Sequence, residues 1–280
     1  MNIILAKRAG FCFGVKRATQ LAFEAAGKDQ NTFTLGPIIH SPQVVNKLAE
    51  MGVGVAKSLD QIAEGTVIIR SHGVLASELD EAYRKKLHVI DATCPFVKKA
   101  QEHAKDLSDA GYDLVVVGDV DHPEVQGIVS YATGKVTVAP TGEHLKNHPR
   151  MSKVGVIAQT TQSFEHLQGV VTECLKRSRE IRIYNTICDA TAVRQDEAVE
   201  IASNSDCMIV IGGFNSANTC RLAELCREIQ PNTHHIETAS EIDDTWFQGV
   251  ATVGITAGAS TPKWIIEEVV QRLEQANNSH

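Results

Sequence analysis

The chain has 280 residues, 43% hydrophobic and 22% charged, as expected of a soluble globular protein long enough for two or three small modules. Its formal net charge of -7 speaks against nucleic acid or an anionic membrane as the main partner. The apolar run Ile3-Ile4-Leu5 is too short for a secretory signal, and no stretch approaches the roughly 20 apolar residues that span a bilayer, so a cytoplasmic protein is expected.

Taken in chain order, short apolar runs alternate with amphipathic patterns. Strands are expected at Asn2–Ala6, Phe33–Leu35, Thr66–Arg70, Val89–Ile90, Leu114–Gly118, Val136–Val138, Lys153–Ala158, Cys207–Gly212 and Ala251–Thr256. Helices are expected at Val15–Ala26, Pro42–Met51, Phe96–Ala110, Phe164–Arg177, Arg194–Ser203, Thr219–Ile229 and Pro262–Ala276. Strand–helix alternation implies an α/β fold of mainly parallel sheets with helices on both faces. Weak repetition of strand, polar loop and helix suggests three similar modules around one central cavity, divided at 1–94, 95–187 and 188–280. Proline at helix starts recurs in Ser41-Pro42, Cys94-Pro95, His122-Pro123 and Thr261-Pro262, where its missing N–H costs nothing.

Seven cysteines, an odd number with no CxxC, do not form a disulfide framework, a zinc ribbon or a thioredoxin-like motif. Cys174, Cys207 and Cys226 fall among apolar neighbours and read as core, while Cys220 is ambiguous. Cys12, Cys94 and Cys188 instead lie in loops between an apolar run and a helix, in Gly10-Phe11-Cys12-Phe13-Gly14, Asp91-Ala92-Thr93-Cys94-Pro95 and Cys188-Asp189-Ala190-Thr191. In an open α/β sheet such loops carry ligand sites. Three thiolates gathered there would hold a metal or a metal–sulfur cluster with one position open; unremarkable burial is the alternative.

His40, His72 and His122 each follow a strand signal, in places where imidazole either donates to phosphate oxygens or serves structure alone. His144, His148, His234 and His235 read as solvated loop residues. Gln159-Thr160-Thr161, Asn215-Ser216-Ala217-Asn218 and Ala257-Gly258-Ala259-Ser260 precede helices, where helix capping is the plain explanation. These loops lack lysine and arginine, so neutral donors and helix N-termini would hold an anion such as a diphosphate. Glu124 suits the first turn of a helix on dipole grounds, or a general acid beside an anion site. No G-x-G-x-x-G, Walker, H-E-x-x-H or G-x-S-x-G motif is present, which leaves nicotinamide, ATP and serine-hydrolase chemistry unsupported. A zinc hydrolase using the same cysteines and a phosphate-binding module without redox chemistry are the competing classes.

Together these motifs, with Arg70-Ser71-His72-Gly73, His122-Pro123-Glu124-Val125 and Arg194-Gln195, resemble the 4-hydroxy-3-methylbut-2-enyl diphosphate reductase (LytB) family from near residue 10 to near residue 260. The resemblance implies three α/β modules around a cavity and an oxygen-sensitive [4Fe–4S] cluster. Cys12, Cys94 and Cys188 match its ligands, which leaves one iron site open for the substrate hydroxyl. His40, His72, His122, Thr160, Ser216, Asn218 and Ser260 match substrate-binding residues, and Glu124, assisted by Thr160 or Thr161, matches the proton donor. The implied electron donor is a ferredoxin or flavodoxin. Two departures stand out: Ala217 replaces a second serine of the Asn215 stretch, and the acidic Asp119-Val120-Asp121 precedes His122.

Overall fold

The computed structural model describes residues 1–28 and 31–278. Its strands are β1 (Asn2–Leu5), β2 (Thr32–Leu35), β3 (Val53–Ala56), β4 (Thr66–Ile69), β5 (His88–Asp91), β6 (Asp113–Val117), β7 (Val136–Val138), β8 (Met151–Ala158), β9 (Ser178–Ile183), β10 (Cys207–Ile211), β11 (Thr233–Ile236) and β12 (Thr252–Ala257). Its α-helices are α1 (Phe13–Ala25), α2 (Pro42–Glu50), α3 (Ala76–Arg84), α4 (Pro95–Asp109), α5 (Pro123–Ser130), α6 (Phe164–Leu175), α7 (Asp189–Ser203), α8 (Ala217–Ile229) and α9 (Lys263–Asn278). No described helix is long and apolar enough to cross a membrane.

The strands form three four-stranded sheets, ordered β3-β2-β4-β5, β7-β6-β8-β9 and β1-β12-β10-β11. Every pairing is parallel. In the first two sheets the chain visits positions in the order 2-1-3-4. The third does the same with β10, β11 and β12, and β1 takes the fourth place by pairing Asn2 with Thr252 through Leu5 with Ile255. The N-terminal strand therefore does not lie in the sheet of residues 32–91, although the expected segment 1–94 grouped them. Strand pairing across the whole chain length leaves no local trace in sequence.

By density of internal contact the chain divides into two compact units. One comprises Met1–Lys16, Ile39–Asn46 and Asp189–His280 and contains the β1-β12-β10-β11 sheet; the other comprises Arg17–Ile38 and Lys47–Cys188 and contains the other two.

Alternation along the strands explains the layers. Leu114 and Val116 of β6 pack with Ala100, Ala104 and Leu107 of α4, while Val115 and Val117 pack with Leu167 and Val170 of α6 on the opposite face. Likewise Ile209 and Ile211 of β10 meet Ile266, Val269 and Leu273 of α9, whereas Met208 and Val210 meet α7 and α8 through Ala198, Ala202, Leu222 and Ala223. A parallel strand covered on both faces has to be apolar throughout, hence the unbroken runs at β6 and β10. Cys174, Cys207 and Cys226 are fully buried in these cores, as their apolar neighbours suggested.

Three strands, β3, β9 and β11, and one helix, α3, were not expected, whereas α5 begins at Pro123, where the sequence signals a helix start. All three strands are sheet edges. One correction concerns His234 and His235, which are half-buried in β11 rather than in a solvated loop. His234 stacks on Trp246 at 3.8 Å, and a ring nitrogen of His235 lies 2.8 Å from the Gly212 carbonyl.

Candidate active site

In a 2-1-3-4 sheet the connections leave the first and third strands in opposite directions, so a crevice opens beyond their carboxyl ends. The predicted polar residues follow these two strands in the chain. After first strands come His40 and Ser41 (β2), His122 and Glu124 (β6), and Ser216 and Asn218 (β10). After third strands come His72 (β4), Thr160 and Thr161 (β8), and Ser260 (β12). After fourth strands come Cys94 (β5), Cys188 (β9) and Cys12 (β1), each directly before a helix.

One backbone hydrogen bond repeats in all three sheets. The N–H of each cysteine donates to a carbonyl just beyond the third strand: Cys94 to Ser71 at 2.9 Å, Cys188 to Thr160 at 2.9 Å and Cys12 to Ala259 at 3.2 Å. The three cysteines thus occupy one structural position used three times, and each is half-buried.

Within the second unit, Glu124 is the centre of a compact polar group. It is 1% exposed, and one carboxylate oxygen accepts the Thr160 N–H at 2.6 Å while the other accepts the Thr160 hydroxyl at 3.0 Å. Burial pushes its pKa from 4.5 to about 7; the two Thr160 hydrogen bonds pull the other way without winning. His122 caps α5 with Nδ1 accepting the Glu124 N–H at 3.1 Å. A neutral ring in that role carries its hydrogen on Nε2, ready to donate. The rings of His72 and His122 meet edge to face, centroids 5.6 Å apart. Gln159, which the sequence reading did not select as a site residue, joins the two loops: its Oε1 accepts the Asp119 N–H at 3.2 Å and its Nε2 donates to the Thr161 hydroxyl at 3.1 Å. Asp119 and Asp121 are exposed, and Asp119 Oδ1 accepts the Asp121 N–H at 3.0 Å.

In the first unit, Ser216 and Ser260 are buried and their hydroxyls lie 3.4 Å apart. Asn218 is 5% exposed, and neither its Nδ2 nor its Oδ1 has a hydrogen-bond partner in the structure. A buried amide with both ends unsatisfied costs about 1–3 kcal/mol per group, and a ligand there removes that cost. Close packing shapes the same place: a Cβ on Gly258 would lie 2.0 Å from the Thr219 hydroxyl oxygen. Ala217 is the half-buried first residue of α8. His40, half-buried, belongs to this unit as well.

The LytB protein family model matches residues 3–274. This chain belongs to the LytB family. It is 75% identical to the 4-hydroxy-3-methylbut-2-enyl diphosphate reductase of Trichlorobacter lovleyi and 69% identical to that of Pelobacter propionicus, over 280 residues and the full length of each chain. A solved structure of (E)-4-hydroxy-3-methyl-but-2-enyl diphosphate reductase, the terminal enzyme of the non-mevalonate pathway, is 47% identical, with TM-score 0.74 over 98% of this chain and 100% of its own. The E-1-hydroxy-2-methyl-but-2-enyl-4-diphosphate reductase of Plasmodium falciparum is 26% identical, with TM-score 0.89 over 96% of this chain and 87% of its own.

LytB proteins are iron–sulfur reductases, and the thiols here sort accordingly. Burial pushes the thiols of Cys174, Cys207 and Cys226 up to about 11, 12 and 12, which keeps them protonated and poor ligands. Cys220, also raised by burial, donates its S–H to the Phe214 carbonyl. Cys12, Cys94 and Cys188 alone stand immediately before helices, half-buried and outside the apolar cores. As a donor set they fit an iron–sulfur group. Among the described residues no three His, Cys, Asp or Glu side chains are gathered closely enough to hold a single metal ion; Cys12 falls in the first unit, and Cys94 and Cys188 in the second.

Proposed function

We propose that the chain is a 4-hydroxy-3-methylbut-2-enyl diphosphate reductase, performing the last step of the non-mevalonate isoprenoid pathway. The reaction breaks the C–O bond of an allylic alcohol, takes up two electrons and two protons, and releases water with isopentenyl or dimethylallyl diphosphate. Cys12, Cys94 and Cys188 hold a [4Fe–4S] cluster that, when bound, supplies single electrons and an open, Lewis-acidic iron for the hydroxyl oxygen. The chain itself carries no flavin or nicotinamide fingerprint, so a ferredoxin or flavodoxin delivers the electrons.

Glu124 is the observation that carries this reading. A dry carboxyl with a pKa near 7 keeps a proton at working pH and can hand it to a departing hydroxide. Thr160 orients it through two hydrogen bonds. The Thr161 oxygen accepts from Gln159, which leaves the Thr161 hydroxyl hydrogen to donate elsewhere. For the diphosphate, His40, His72, His122, Thr160, Ser216, Asn218 and Ser260 provide neutral donors; the unsatisfied Asn218 amide supports this assignment. Neutral donors and helix N-termini hold the anion without a lysine to compete for Glu124. Seven thiols without a disulfide suit a reducing cytoplasm.

Anaerobic assay with the diphosphate and a chemical reductant tests the reading. Wild type should form both products, while Glu124→Gln should keep its iron and bind substrate yet lose about 10²–10⁴ in turnover. Undiminished turnover in that variant would remove Glu124 from its role. A colourless, zinc-loaded native protein would end the redox reading altogether.

A further inference from the structure

Arg194 is 4% exposed, yet its guanidinium reaches two backbone carbonyls well away from its own turn as well as one within it. Nη2 donates to Gly10 O at 2.8 Å, Nε to Arg8 O at 3.1 Å and Nη1 to Ala190 O at 3.0 Å. One turn along α7, Glu197 accepts the N–H groups of Lys7 and Arg8, each at 2.9 Å. The segment that leads into Cys12 is therefore held by its carbonyls and its amides at once. Gly10 has φ of +93°, a conformation that turns the chain at the held carbonyl, and a Cβ there would lie 3.0 Å from Ile266 Cδ1. Cys12 and Arg194 line the same cavity of ≈450 Å³, together with Phe13, Asp189 and Val193.

A second guanidinium does the same for a second cysteine. Arg17, on α1, donates through Nη2 to Asp91 O and through Nη1 to Thr93 O, both at 3.3 Å. Those carbonyls belong to the turn that ends in Cys94, itself closed by the Asp91 carboxylate accepting the Thr93 N–H at 2.9 Å. The sequence positions form a cycle. Arg17 sits on the helix that follows Cys12 and holds the loop of Cys94. Arg194 sits on the helix that follows Cys188 and holds the loop of Cys12. On the remaining side, His103 of α4, the helix that follows Cys94, stacks at 3.8 Å on Tyr184 in the segment leading to Cys188.

We propose that Arg17 and Arg194 are positioning residues for the cysteine ligands, each fixing the loop of one cysteine from the helix that follows another. A planar fork that binds two carbonyls sets loop orientation in a way that a lysine ammonium, a point charge on a flexible stem, cannot reproduce. Groups behind the ligands that orient them typically govern metal affinity by 10–100-fold. The proposal rests on the reading of Cys12, Cys94 and Cys188 as cluster ligands.

The test compares anaerobically purified Arg17→Lys, Arg194→Lys, Cys12→Ser and, as a control, Arg177→Lys. Arg177 also donates to backbone carbonyls, but those of Glu173 and Lys146, neither of which belongs to a loop that carries Cys12, Cys94 or Cys188. The readouts are iron and sulfide content, the rate of iron release to a chelator, the electron paramagnetic resonance spectrum of the reduced cluster, and the melting temperature. Arg17→Lys and Arg194→Lys should release iron about tenfold faster or more and alter the spectrum. Arg177→Lys should lower only the melting temperature. If Cys12→Ser loses iron while both arginine variants keep the wild-type release rate and spectrum, the clamp is overturned and the ligand reading survives. Full iron in Cys12→Ser would overturn both. Half-buried Arg17 offers the milder substitution should Arg194→Lys fold poorly.

Discussion

Replacing Glu124 by Gln should make the protein's stability less sensitive to pH across neutrality, and the magnitude follows from its burial. In the unfolded chain this carboxyl loses its proton near pH 4.5; in the fold it does so near pH 7. A pKa raised by folding contributes stability that is fully present below the unfolded value and lost as pH rises through the folded one. The gap between 4.5 and about 7 corresponds to about 3 kcal/mol. Wild type should therefore lose about 3 kcal/mol relative to Glu124→Gln as pH climbs from about 4.5 to 8. Gln keeps the side chain's size and can still accept the Thr160 N–H through its carbonyl oxygen, so packing changes little. Urea denaturation of matched anaerobic preparations at closely spaced pH values gives the difference directly. An infrared carboxyl band that is present in wild type, absent from the variant and titrating near pH 7 would identify the group. Parallel stability curves from pH 4.5 to 8, with no such band, would show that Glu124 is an ordinary ionised carboxylate. The proton donor would then have to be sought elsewhere.

Thr160→Val removes one of the hydrogen bonds that favour the charged carboxylate, so the Glu124 pKa should rise further and the alkaline fall of kcat/KM should move to higher pH; an unmoved profile would mean the bond does not tune the acid. Cys94→Ser and Cys188→Ser should each deplete iron and sulfide, whereas Cys174→Ser and Cys226→Ser should lower the melting temperature and leave iron content unchanged, because the latter two thiols are packed in apolar cores. Ala217→Ser should tighten diphosphate binding by about 1 kcal/mol if the first turn of α8 faces the anion, as read by calorimetry with inorganic diphosphate. No gain would mean that the neighbouring Ser216 and Asn218 already suffice.

What was legible in the sequence depended on where each element lies in its sheet. The six central strands, β2, β4, β6, β8, β10 and β12, all lie within or beside apolar runs, because burial on both faces favours apolar and β-branched side chains, the buried threonines Thr34, Thr66 and Thr256 among them. The strands without a signal are edges: Ser178–Ile183 carries Arg179, Glu180 and Arg182, Thr233–Ile236 carries two histidines, and Val53–Ala56 is interrupted by Gly54. Charges and glycine at an edge guard against further pairing and erase the pattern that would reveal the strand. Helix α3 was hidden for a similar reason, since Ala82 is its only fully buried residue. At the site, residue types pointed to the cysteines, histidines and hydroxyls, but not to the environment of Glu124. A first-turn glutamate reads as helix-favourable, and only its 1% exposure distinguishes a protonatable acid from a solvated one. A hint lay in Pro123-Glu124-Val125, where an acid opens a helix that is otherwise largely apolar. Arg17 left no such hint, because its partners are backbone carbonyls more than 70 positions away, and Gln159 left none because its link to the Asp119 loop spans 40 positions.

The place of β1 links the fold to the chemistry. Its pairing with β12 gives the third sheet the same 2-1-3-4 order as the others, and only then does Cys12 become the counterpart of Cys94 and Cys188. Each sheet divides its carboxyl edge in one way. The first and third strands, adjacent at the switch point, lead to hydroxyls, amides and imidazoles suited to an anion, and the fourth leads to a sulfur. The recurring bond from the cysteine N–H to the third-strand loop ties the sulfur to its neighbouring polar group. Displacing the loop of Ser260, Thr160 or His72 therefore disturbs the adjoining cysteine. Shortening the N-terminus by residues 1–5 would remove the fourth strand from one sheet, the strand from which the Cys12 loop departs. The loss should fall on cluster retention, since β10, β11 and β12 keep their own pairings and the helices that cover them.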